Sequence, residues 1–313
     1  MNDLFKSDSV KKYYVAQKIG VIGAILKKSP LYIKALDNVT FTITKDRVLT
    51  IVGESGSGKT TLGKIITTLE YPTSGNTYFK GELVTRKNAQ NIRKNFDMVF
   101  QNPSTSLNPR MRIKDIVSEA LGKQDSNSAK EVIERVGLPY EEIKNKQPRE
   151  LSGGQIQRIA ISKTIAKQAE LIVLDEPTSA LDESIQAQIL NLLVELQNEY
   201  KLTYVFITHN IFVAKYIGDE VLVLYAGKIA EYGQASQVLG NPFHPYTQLL
   251  ISSVPSINSK ELKPPDGDAP SLIDRPLGCS FHPRCPFVMN KCREEEPPLT
   301  KQGNSLVACW LYE

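Results

Sequence analysis

The chain has no cysteine between Met1 and Gly278, and its four cysteines all lie between Cys279 and Cys309. A protein that relied on disulfides throughout would spread its cysteines along the chain, so this distribution instead indicates one local site built from four sulfurs. The chain also lacks any apolar stretch near the roughly 20 residues that cross a bilayer. The apolar run 20–26 is too short and does not have the layout of a secretory signal. We therefore expect any role at a membrane to depend on partner subunits that span it.

Charge of one sign is not concentrated anywhere in the chain. The formal net charge is +4 over 313 residues, with 41% hydrophobic and 23% charged residues, which is typical of a folded globular protein. The short runs Lys11-Lys12 and Lys27-Lys28 are typical of solvated faces. The sequence therefore predicts no nucleic-acid partner.

Three continuous, β-rich apolar runs each end at a polar loop, and helical patterns accompany them. The runs are 48–52, 171–174 and 204–207, and the helical patterns are 59–69, 155–167 and 184–200. Such runs indicate strands buried on both faces, and the alternation predicts an α/β fold with ligands at the carboxyl ends of the strands. The stretch 102–165 reads as mainly helical and is predicted to be an inserted helical subdomain. After about residue 240 the chain becomes Pro-rich, which predicts a linker and a small stapled module.

The segment 53–60 reads Gly-Glu-Ser-Gly-Ser-Gly-Lys-Thr and fits the G-x-x-x-x-G-K-[ST] phosphate-loop pattern in full. Its glycines let backbone N–H groups turn onto phosphate oxygens, and the positive end of the helix that begins near Lys59 faces the same site. We expect Lys59 to reach the β- and γ-phosphates and Thr60 to ligate Mg²⁺. The predicted nucleotide-binding residues here are Gly53, Glu54, Ser55, Gly56, Ser57, Gly58, Lys59, Thr60 and Thr61.

Two adjacent acids, Asp175 and Glu176, follow the apolar run 171–174. Successive strand residues point to opposite sides, so the two carboxylates can divide the work. Asp175 is predicted to hold Mg²⁺, and Glu176 is predicted to act as the general base for the attacking water. Gln101 has the amide needed to contact both Mg²⁺ and this water, and His209 is a candidate sensor of the γ-phosphate. Chemistry alone leaves Gln101 undecided, and a lone histidine at a strand end is more often structural.

The segment Leu151-Ser152-Gly153-Gly154-Gln155 predicts a second anion site. Ser152 is a good N-cap, and the two glycines leave backbone N–H groups bare at the start of an amphipathic helix. One nucleotide does not need two such sites in one chain. We therefore expect Ser152, Gly153, Gly154 and Gln155 to serve a nucleotide that another subunit holds.

Together these motifs resemble those of the ABC-transporter ATPases. The match covers about residues 31–240 and includes the phosphate loop, Gln101, the signature 151–155, the Asp175–Glu176 pair, the segment 179–182 and His209. The resemblance implies a P-loop NTPase (RecA-like) core with an antiparallel β subdomain and an inserted helical subdomain. It also implies a head-to-tail dimer, in which each ATP lies between the phosphate loop of one ATPase domain and the LSGGQ signature of the other.

The same resemblance implies an adenine site and domain boundaries. In this family an aromatic residue before the first strand stacks on adenine, and Tyr32 is the candidate. The implied organisation is an N-terminal extension 1–30, an ABC ATPase domain 31–240 with the helical subdomain at about 102–165, and a C-terminal extension 241–313. Asp46-Arg47 stands where the family often has Gly-Glu, which implies an altered turn without loss of chemistry.

Longer stretches are similar to the oligopeptide and dipeptide importer branch of this family, namely 52–59, 100–109, 241–247 and 278–286. Members of this branch work with a non-identical sister ATPase, two transmembrane permease subunits and an extracytoplasmic solute-binding protein. The resemblance therefore implies a peripheral position on the cytoplasmic face of the cell membrane and ATP-driven peptide uptake. The alternatives are oligosaccharide or nickel as cargo, or a non-transport ABC ATPase, which would usually carry long coiled coils that this sequence lacks.

The cysteines Cys279, Cys285, Cys292 and Cys309 are spaced C-x5-C-x6-C-x16-C. Four sulfurs suit Zn²⁺ or an iron–sulfur cluster, and the lack of the tight cysteine pairs that zinc sites prefer favours a cluster. Some peptide-importer ATPases hold a [4Fe–4S] cluster in this extension, and the four positions match. Zn²⁺, disulfides and free thiols are the alternatives. A cluster would staple a module too small to bury a core of its own.

Overall fold

A computed structural model of the chain describes residues 3–17, 30–122, 126–253, 267 and 270–313. Residue contacts divide it into two units, each built from segments that are separate in sequence. Unit 1 consists of the described parts of Met1–Thr44, Leu49–Val84 and Thr208–Glu313. Unit 2 consists of the described parts of Lys45–Val48 and Thr85–Ile207. The run 20–26, the Lys27-Lys28 pair and most of the Pro-rich linker lie outside the described residues.

The described residues form strands of very different length. They are β1 (Asp3–Gln17), β2 (Leu31–Thr44), β3 (Val48–Val52), β4 (Ser74–Phe79), β5 (Glu82–Leu83), β6 (Phe96–Val99), β7 (Leu171–Asp175), β8 (Thr203–Thr208), β9 (Glu220–Tyr225), β10 (Lys228–Gln234), β11 (Thr300–Gln302) and β12 (Ser305–Val307).

Three α-helices of the described residues have no more than five residues. The α-helices are α1 (Lys59–Ile66), α2 (Ala89–Ile92), α3 (Ile113–Leu121), α4 (Ser126–Arg135), α5 (Tyr140–Ile143), α6 (Gly153–Ala166), α7 (Glu183–Tyr200), α8 (Ile211–Ile217), α9 (Ala235–Gly240), α10 (Pro245–Ser252) and α11 (Asn290–Glu294). No helix in the described ranges is both long and apolar enough to cross a bilayer.

Unit 1 contains a four-stranded antiparallel sheet with the order β2-β1-β4-β5. β1 lies inside this sheet, since Phe5 pairs with Ile43 on β2 and with Phe79 on β4. The sheet confirms the predicted antiparallel β subdomain. The sequence-based boundaries place residues 3–17 in an N-terminal extension, whereas in the structure these residues form an interior strand of this subdomain.

Unit 1 also contains five neighbouring strands of the second sheet in the order β11-β12-β10-β9-β3, in which β3 and β9 are parallel and the other pairs are antiparallel. The buried side chains of β9 pack with those of α9, α10 and Phe281, and Cys279 and Cys285 lie against this cluster. The C-terminal residues therefore extend the β9–β10 sheet and share its core. They are part of unit 1 and do not form a unit of their own.

Unit 2 contains the parallel strands β6, β7 and β8, and every residue of β7 and β8 is buried. The register sets Val99 opposite Leu174 and Asp175 opposite Ile207. Strands predicted at 171–174 and 204–207 are thus confirmed, as are the helical patterns at 155–167 and 184–200. Both helices begin one or two residues earlier than predicted. The structure confirms the predicted α/β fold with an antiparallel sheet and helical parts.

Candidate functional site

The phosphate loop joins β3 to α1 in unit 1, and two of its glycines are required by close backbone contacts. A Cβ atom on Gly53 would lie 2.2 Å from the carbonyl oxygen of Leu224 on β9. Gly58 has φ 103°, and a Cβ there would lie 2.4 Å from the carbonyl oxygen of Ala35 on β2. Any side chain at either position would push the loop away from these strands.

The tip of the loop has the features of a phosphate cradle. Gly56 has φ 76° and no atom within 4 Å of where its Cβ would be, so the backbone there is open. The Ser57 hydroxyl is buried and has no hydrogen-bond partner among the described residues. Lys59 is 6% exposed, and its Nζ donates to the carbonyls of Gly53 at 2.8 Å and Glu54 at 2.9 Å. An open backbone beside a buried hydroxyl and a buried ammonium fits a triphosphate group.

His209 follows β8 and is exposed, in a turn that belongs to unit 1. The next residue, Asn210, caps α8, because its Oδ1 accepts from the backbone N–H groups of Phe212 at 2.9 Å and Val213 at 3.4 Å. The cap fixes the backbone on one side of His209. The structure thus presents the imidazole on an anchored turn.

Asp175 and Glu176 lie at the carboxyl end of β7 in unit 2. Asp175 is 4% exposed, while Glu176 is half-buried with φ 46°, in the left-handed region that glutamate rarely adopts. Its N–H donates to the Ile207 carbonyl at 3.0 Å, and its carbonyl accepts from the Ser179 hydroxyl at 3.1 Å. Backbone strain of about 1–3 kcal/mol persists where such contacts enforce it, and it is concentrated at functional sites.

Gln101 contacts the carboxylate of Glu176. Its Nε2 donates to Glu176 Oε2 at 3.2 Å, and both residues belong to unit 2. The sequence left the role of Gln101 undecided, and the structure brings this amide to the predicted general base. A carboxylate oriented by an amide is suited to position a water molecule and to accept its proton.

The signature segment forms a capped helix start in unit 2. The Gln155 N–H donates to Ser152 Oγ at 3.3 Å, and the Ser152 N–H donates to Gln155 Oε1 at 3.0 Å. Ser152 and Gly153 are exposed, and a Cβ on Gly154 would lie 2.8 Å from Ile185 Cγ2. Ser152 is thus the N-cap of α6, as predicted, and Gly154 lets the helix start pack closely against α7. The exposed helix start suits an anion.

A groove in unit 2 lies between the residues after Gln101, α3 and α6. Its volume is about 430 Å³, and it is lined by Ser106, Asn108, Met111, Ile116, Glu119, Ala120, Lys163 and Lys167. Burial and the neighbouring Lys167 lower the pKa of Lys163, whose Nζ donates to the Ser106 carbonyl. The lining of the α3–α6 groove therefore combines three apolar residues with charges of both signs.

The four cysteines lie in one part of unit 1 and are not joined as disulfides. Each of three thiols accepts a backbone N–H bond from the residue two positions on, namely Cys279 from Phe281, Cys285 from Phe287, and Cys309 from Leu311. The Cys279 thiol also interacts electrostatically with the other three. Burial raises the pKa of this thiol to about 11, and it raises the pKa of Cys285 and Cys309. The four sulfurs therefore converge, with N–H donors placed on three of them.

No group of three or more His, Cys, Asp or Glu side chains in the described ranges is arranged to hold one metal ion. Within these ranges the four thiols therefore lie in one part of unit 1 without forming a ready-made site for either zinc or an iron–sulfur cluster.

Tyr32, the predicted adenine partner, is 41% exposed on β2 and pairs with Val15 on β1. Tyr14, which no sequence motif indicates, contacts the helix that follows the phosphate loop. Its hydroxyl bonds to Glu70 and to the side chain of Thr61 on α1. The adjacent aromatic residues at 13 and 14 are the only local sign of this contact in the sequence. The predicted boundary at residue 30 hides it, because it places both residues in an extension.

Known ABC-transporter proteins are similar to this chain over most of its length. The family model for ABC transporters matches residues 36–179, and the model for the C-terminal region of oligopeptide/dipeptide transporters matches residues 230–292. The dipeptide transport ATP-binding protein of Haemophilus influenzae is 41% identical over 98% of this chain and 96% of its own length. The chain belongs to the ABC-transporter ATPases. The oligopeptide transport ATP-binding protein of Bacillus subtilis is 40% identical over 97% of this chain and 95% of its own length.

Solved ABC cassettes have the same fold. A bacterial ABC transporter cassette, solved as a dimer, matches with a TM-score of 0.62 and 30% identity, covering 74% of this chain and 98% of that one. A dimeric cassette in a post-hydrolysis state, bound to ADP and phosphate, matches with a TM-score of 0.63, 30% identity and the same coverage. These matches confirm the predicted family, the P-loop NTPase fold and the ATPase activity of this ABC ATPase.

Replacing Lys59 tests the phosphate loop of this ABC ATPase. In Lys59→Ala we expect ATP affinity to fall by roughly a hundredfold, because a charge-assisted hydrogen bond worth up to about 3 kcal/mol is lost. The measurement is titration of the purified chain with ATP and Mg²⁺ by calorimetry. Lys64→Ala is the matched control, since Lys64 also lies on α1 but pairs with Glu70. Unchanged affinity in Lys59→Ala would contradict the assignment.

Proposed function

We propose that this chain is the ATP-hydrolysing subunit of an importer for dipeptides or oligopeptides. The observation that supports this most is the match of residues 230–292 to the C-terminal region of oligopeptide/dipeptide transporters, next to an ABC ATPase core. Relatives named for dipeptide and oligopeptide transport match the chain over nearly its full length. These matches favour peptides over oligosaccharides or nickel, and transport over a non-transport ABC ATPase.

In the proposed reaction the phosphate loop binds the triphosphate, with Lys59 on its β- and γ-phosphates. Thr60, Gln101 and Asp175 would hold Mg²⁺, which supplies charge neutralisation on the phosphate oxygens when bound. Glu176 accepts the proton of the attacking water at its carboxylate, and the Gln101 amide orients that carboxylate. His209 contacts the γ-phosphate from the turn after β8.

Two further contacts of the nucleotide belong to this proposal. Tyr32 stacks on adenine, for which its exposed ring is available. The helix start at Ser152 and Gly153 serves an ATP held by a second ATPase subunit, because its bare N–H groups suit a γ-phosphate. In the importer branch this second subunit is a non-identical sister ATPase, and ATP closes the pair head to tail.

The proposed partners in the membrane are two permease subunits, fed by an extracytoplasmic solute-binding protein. The α3–α6 groove is the proposed binding site of a permease helix, since its three apolar residues and its mixed charges (Glu119, Lys163, Lys167) suit an amphipathic segment. Hydrolysis then changes the conformation of the permeases through this contact. The chain would lie on the cytoplasmic face of the cell membrane as a peripheral subunit.

Replacing the general base separates ATP binding from hydrolysis. Glu176→Gln keeps the size of the side chain but cannot accept the proton, so we expect hydrolysis to fall by about 10²–10⁴-fold while ATP remains bound. Assembled with the sister ATPase, the same variant should accumulate as an ATP-bound closed dimer. Phosphate release measures the first effect, and sedimentation with and without ATP measures the second.

The matched control for this experiment is Glu195→Gln, an exposed glutamate on α7 in the same unit. We expect this variant to hydrolyse ATP at the wild-type rate. Normal turnover in Glu176→Gln would show that another group removes the proton from the attacking water.

We propose that Cys279, Cys285, Cys292 and Cys309 hold a [4Fe–4S] cluster, with Zn²⁺ as the alternative. The support is that the four thiols lie in one part of unit 1, that three of them accept a backbone N–H bond, and that the spacing lacks the tight cysteine pairs that zinc sites prefer. A cluster, when bound, would supply four covalent cross-links within the C-terminal residues. The thiols themselves would then anchor the segments around α11 and β12 to the core of unit 1.

Metal analysis of anaerobically purified protein tests this assignment. We expect about four irons per chain and broad visible absorption, because a [4Fe–4S] cluster is held by four cysteines. Cys292→Ser should lower the iron content, while Ser280→Ala, which alters a buried neighbour without removing a thiol, should keep it. One zinc per chain and no colour would establish the alternative, and a metal-free protein would exclude both.

A further inference from the structure

Glu54, the second residue of the phosphate loop, is paired with an arginine from the C-terminal part of unit 1. Arg284 Nη1 donates to Glu54 Oε2 at 2.8 Å, and Arg284 Nη2 donates to Glu54 Oε1 at 2.9 Å. This is a bidentate pair, the geometry that gives an arginine–carboxylate contact both strength and direction. The two residues are 230 positions apart in the sequence.

The backbone of Glu54 is held from both sides as well. Its N–H donates to the Tyr246 hydroxyl at 2.9 Å, and Tyr246 is fully buried on α10. Its carbonyl accepts from the Ser57 N–H at 3.2 Å and from Lys59 Nζ at 2.9 Å. Glu54 therefore connects the C-terminal residues to the ammonium that is predicted to hold the phosphates.

Arg284 is held rigidly enough to fix its partner. Its side chain is 7% exposed, its Nη1 also donates to the Tyr225 hydroxyl at 3.3 Å, and its guanidinium lies 5.9 Å from the Tyr225 ring. Tyr225 packs in turn against Tyr246 and Phe281, with ring centroids 4.4 Å and 5.3 Å away. A charge buried this far exerts a stronger field than an exposed one, since water screens it less.

The backbone that carries Arg284 is part of the cysteine-containing segment. Arg284 ends the short 3-10 helix His282–Arg284, immediately before Cys285. The Arg284 N–H donates to the Phe281 carbonyl at 3.0 Å, and the His282 N–H donates to the Cys279 carbonyl at 3.0 Å. The guanidinium is thus positioned by a turn that lies between two of the four cysteines.

We propose that Arg284 and Tyr246 are positioning residues of the nucleotide site, through which the C-terminal residues hold the phosphate loop at Glu54 and neutralise its carboxylate. The proposal rests on ATP binding at this loop. An unpaired carboxylate in the loop would repel the phosphates of ATP, and the Arg284 guanidinium cancels this repulsion. The bond from Tyr246 fixes the peptide that leads to the carbonyl contacted by Lys59.

A charge-rescue experiment at Glu54 and Arg284 tests the electrostatic part. In Arg284→Gln we expect the Kd for ATP to rise on the order of tenfold, because Glu54 is left unpaired beside the bound phosphates. In Glu54→Gln with Arg284→Gln the repelling charge is gone as well, and the Kd should return to within about threefold of wild type. Kd is measured by titration with a fluorescent ATP analogue, and the melting temperature is recorded for every variant.

Two other variants separate positioning from a general loss of structure. Arg275→Gln is the matched control, since Arg275 is an equally buried arginine of the C-terminal residues that pairs with Asp37 at 3.1 Å. It should lower the melting temperature and leave the Kd for ATP unchanged. Tyr246→Phe keeps the ring and removes the hydroxyl, so it should raise the Kd about threefold even if Arg284→Gln does not fold.

The outcomes are distinct. If the wild-type protein does not bind ATP, the proposed function itself is wrong. If wild-type protein binds ATP and the Kd values of Arg284→Gln and Tyr246→Phe both lie within twofold of the wild-type Kd, the positioning role is overturned. A Kd that rises in Arg284→Gln and rises equally in the double variant would also overturn it, because charge neutralisation requires rescue.

Discussion

The turn from β3 into α1 lies so close to two backbone carbonyls that there is no room for a side chain at either contact. The nucleotide site depends on this constraint. Gly53 meets the Leu224 carbonyl of β9, and Gly58 meets the Ala35 carbonyl of β2. Both sheets of unit 1 therefore shape the phosphate loop. The open tip at Gly56 and the buried Lys59 between them follow from that shape, because the loop has little freedom to relax.

The hydrolytic groups rely on a different constraint. Glu176 adopts a left-handed backbone conformation that is held by a hydrogen bond to Ile207 on β8 and by contacts with Ser179. Gln101, at the end of β6, reaches its carboxylate. Unit 2 thus fixes the base and its orienting amide through three neighbouring parallel strands. It also carries the capped start of α6, which is proposed to serve an ATP held by a second subunit.

The residues that could be predicted from the sequence are those whose signal is local. The buried strands β3, β7 and β8 are continuous apolar runs, and the N-cap at Ser152 is visible in five consecutive residues. β1 was missed because its residues are largely polar and its pairing with β4 joins distant segments. The contact between Glu54 and Arg284 was equally hidden, since no local pattern links residues so far apart. Likewise, the spacing of the cysteines indicated a shared site, whereas their distances depend on tertiary packing.

The most direct test of the account is ATP hydrolysis by this chain after it is reconstituted in lipid vesicles with the proposed sister ATPase, permeases and solute-binding protein. The rate is compared with and without dipeptides or oligopeptides, and with nickel or oligosaccharide in their place. The account predicts that peptide presented by the binding protein accelerates hydrolysis and is taken up, while the other solutes leave the rate at its basal value. Hydrolysis that responds to nickel or oligosaccharide and ignores peptides would contradict it.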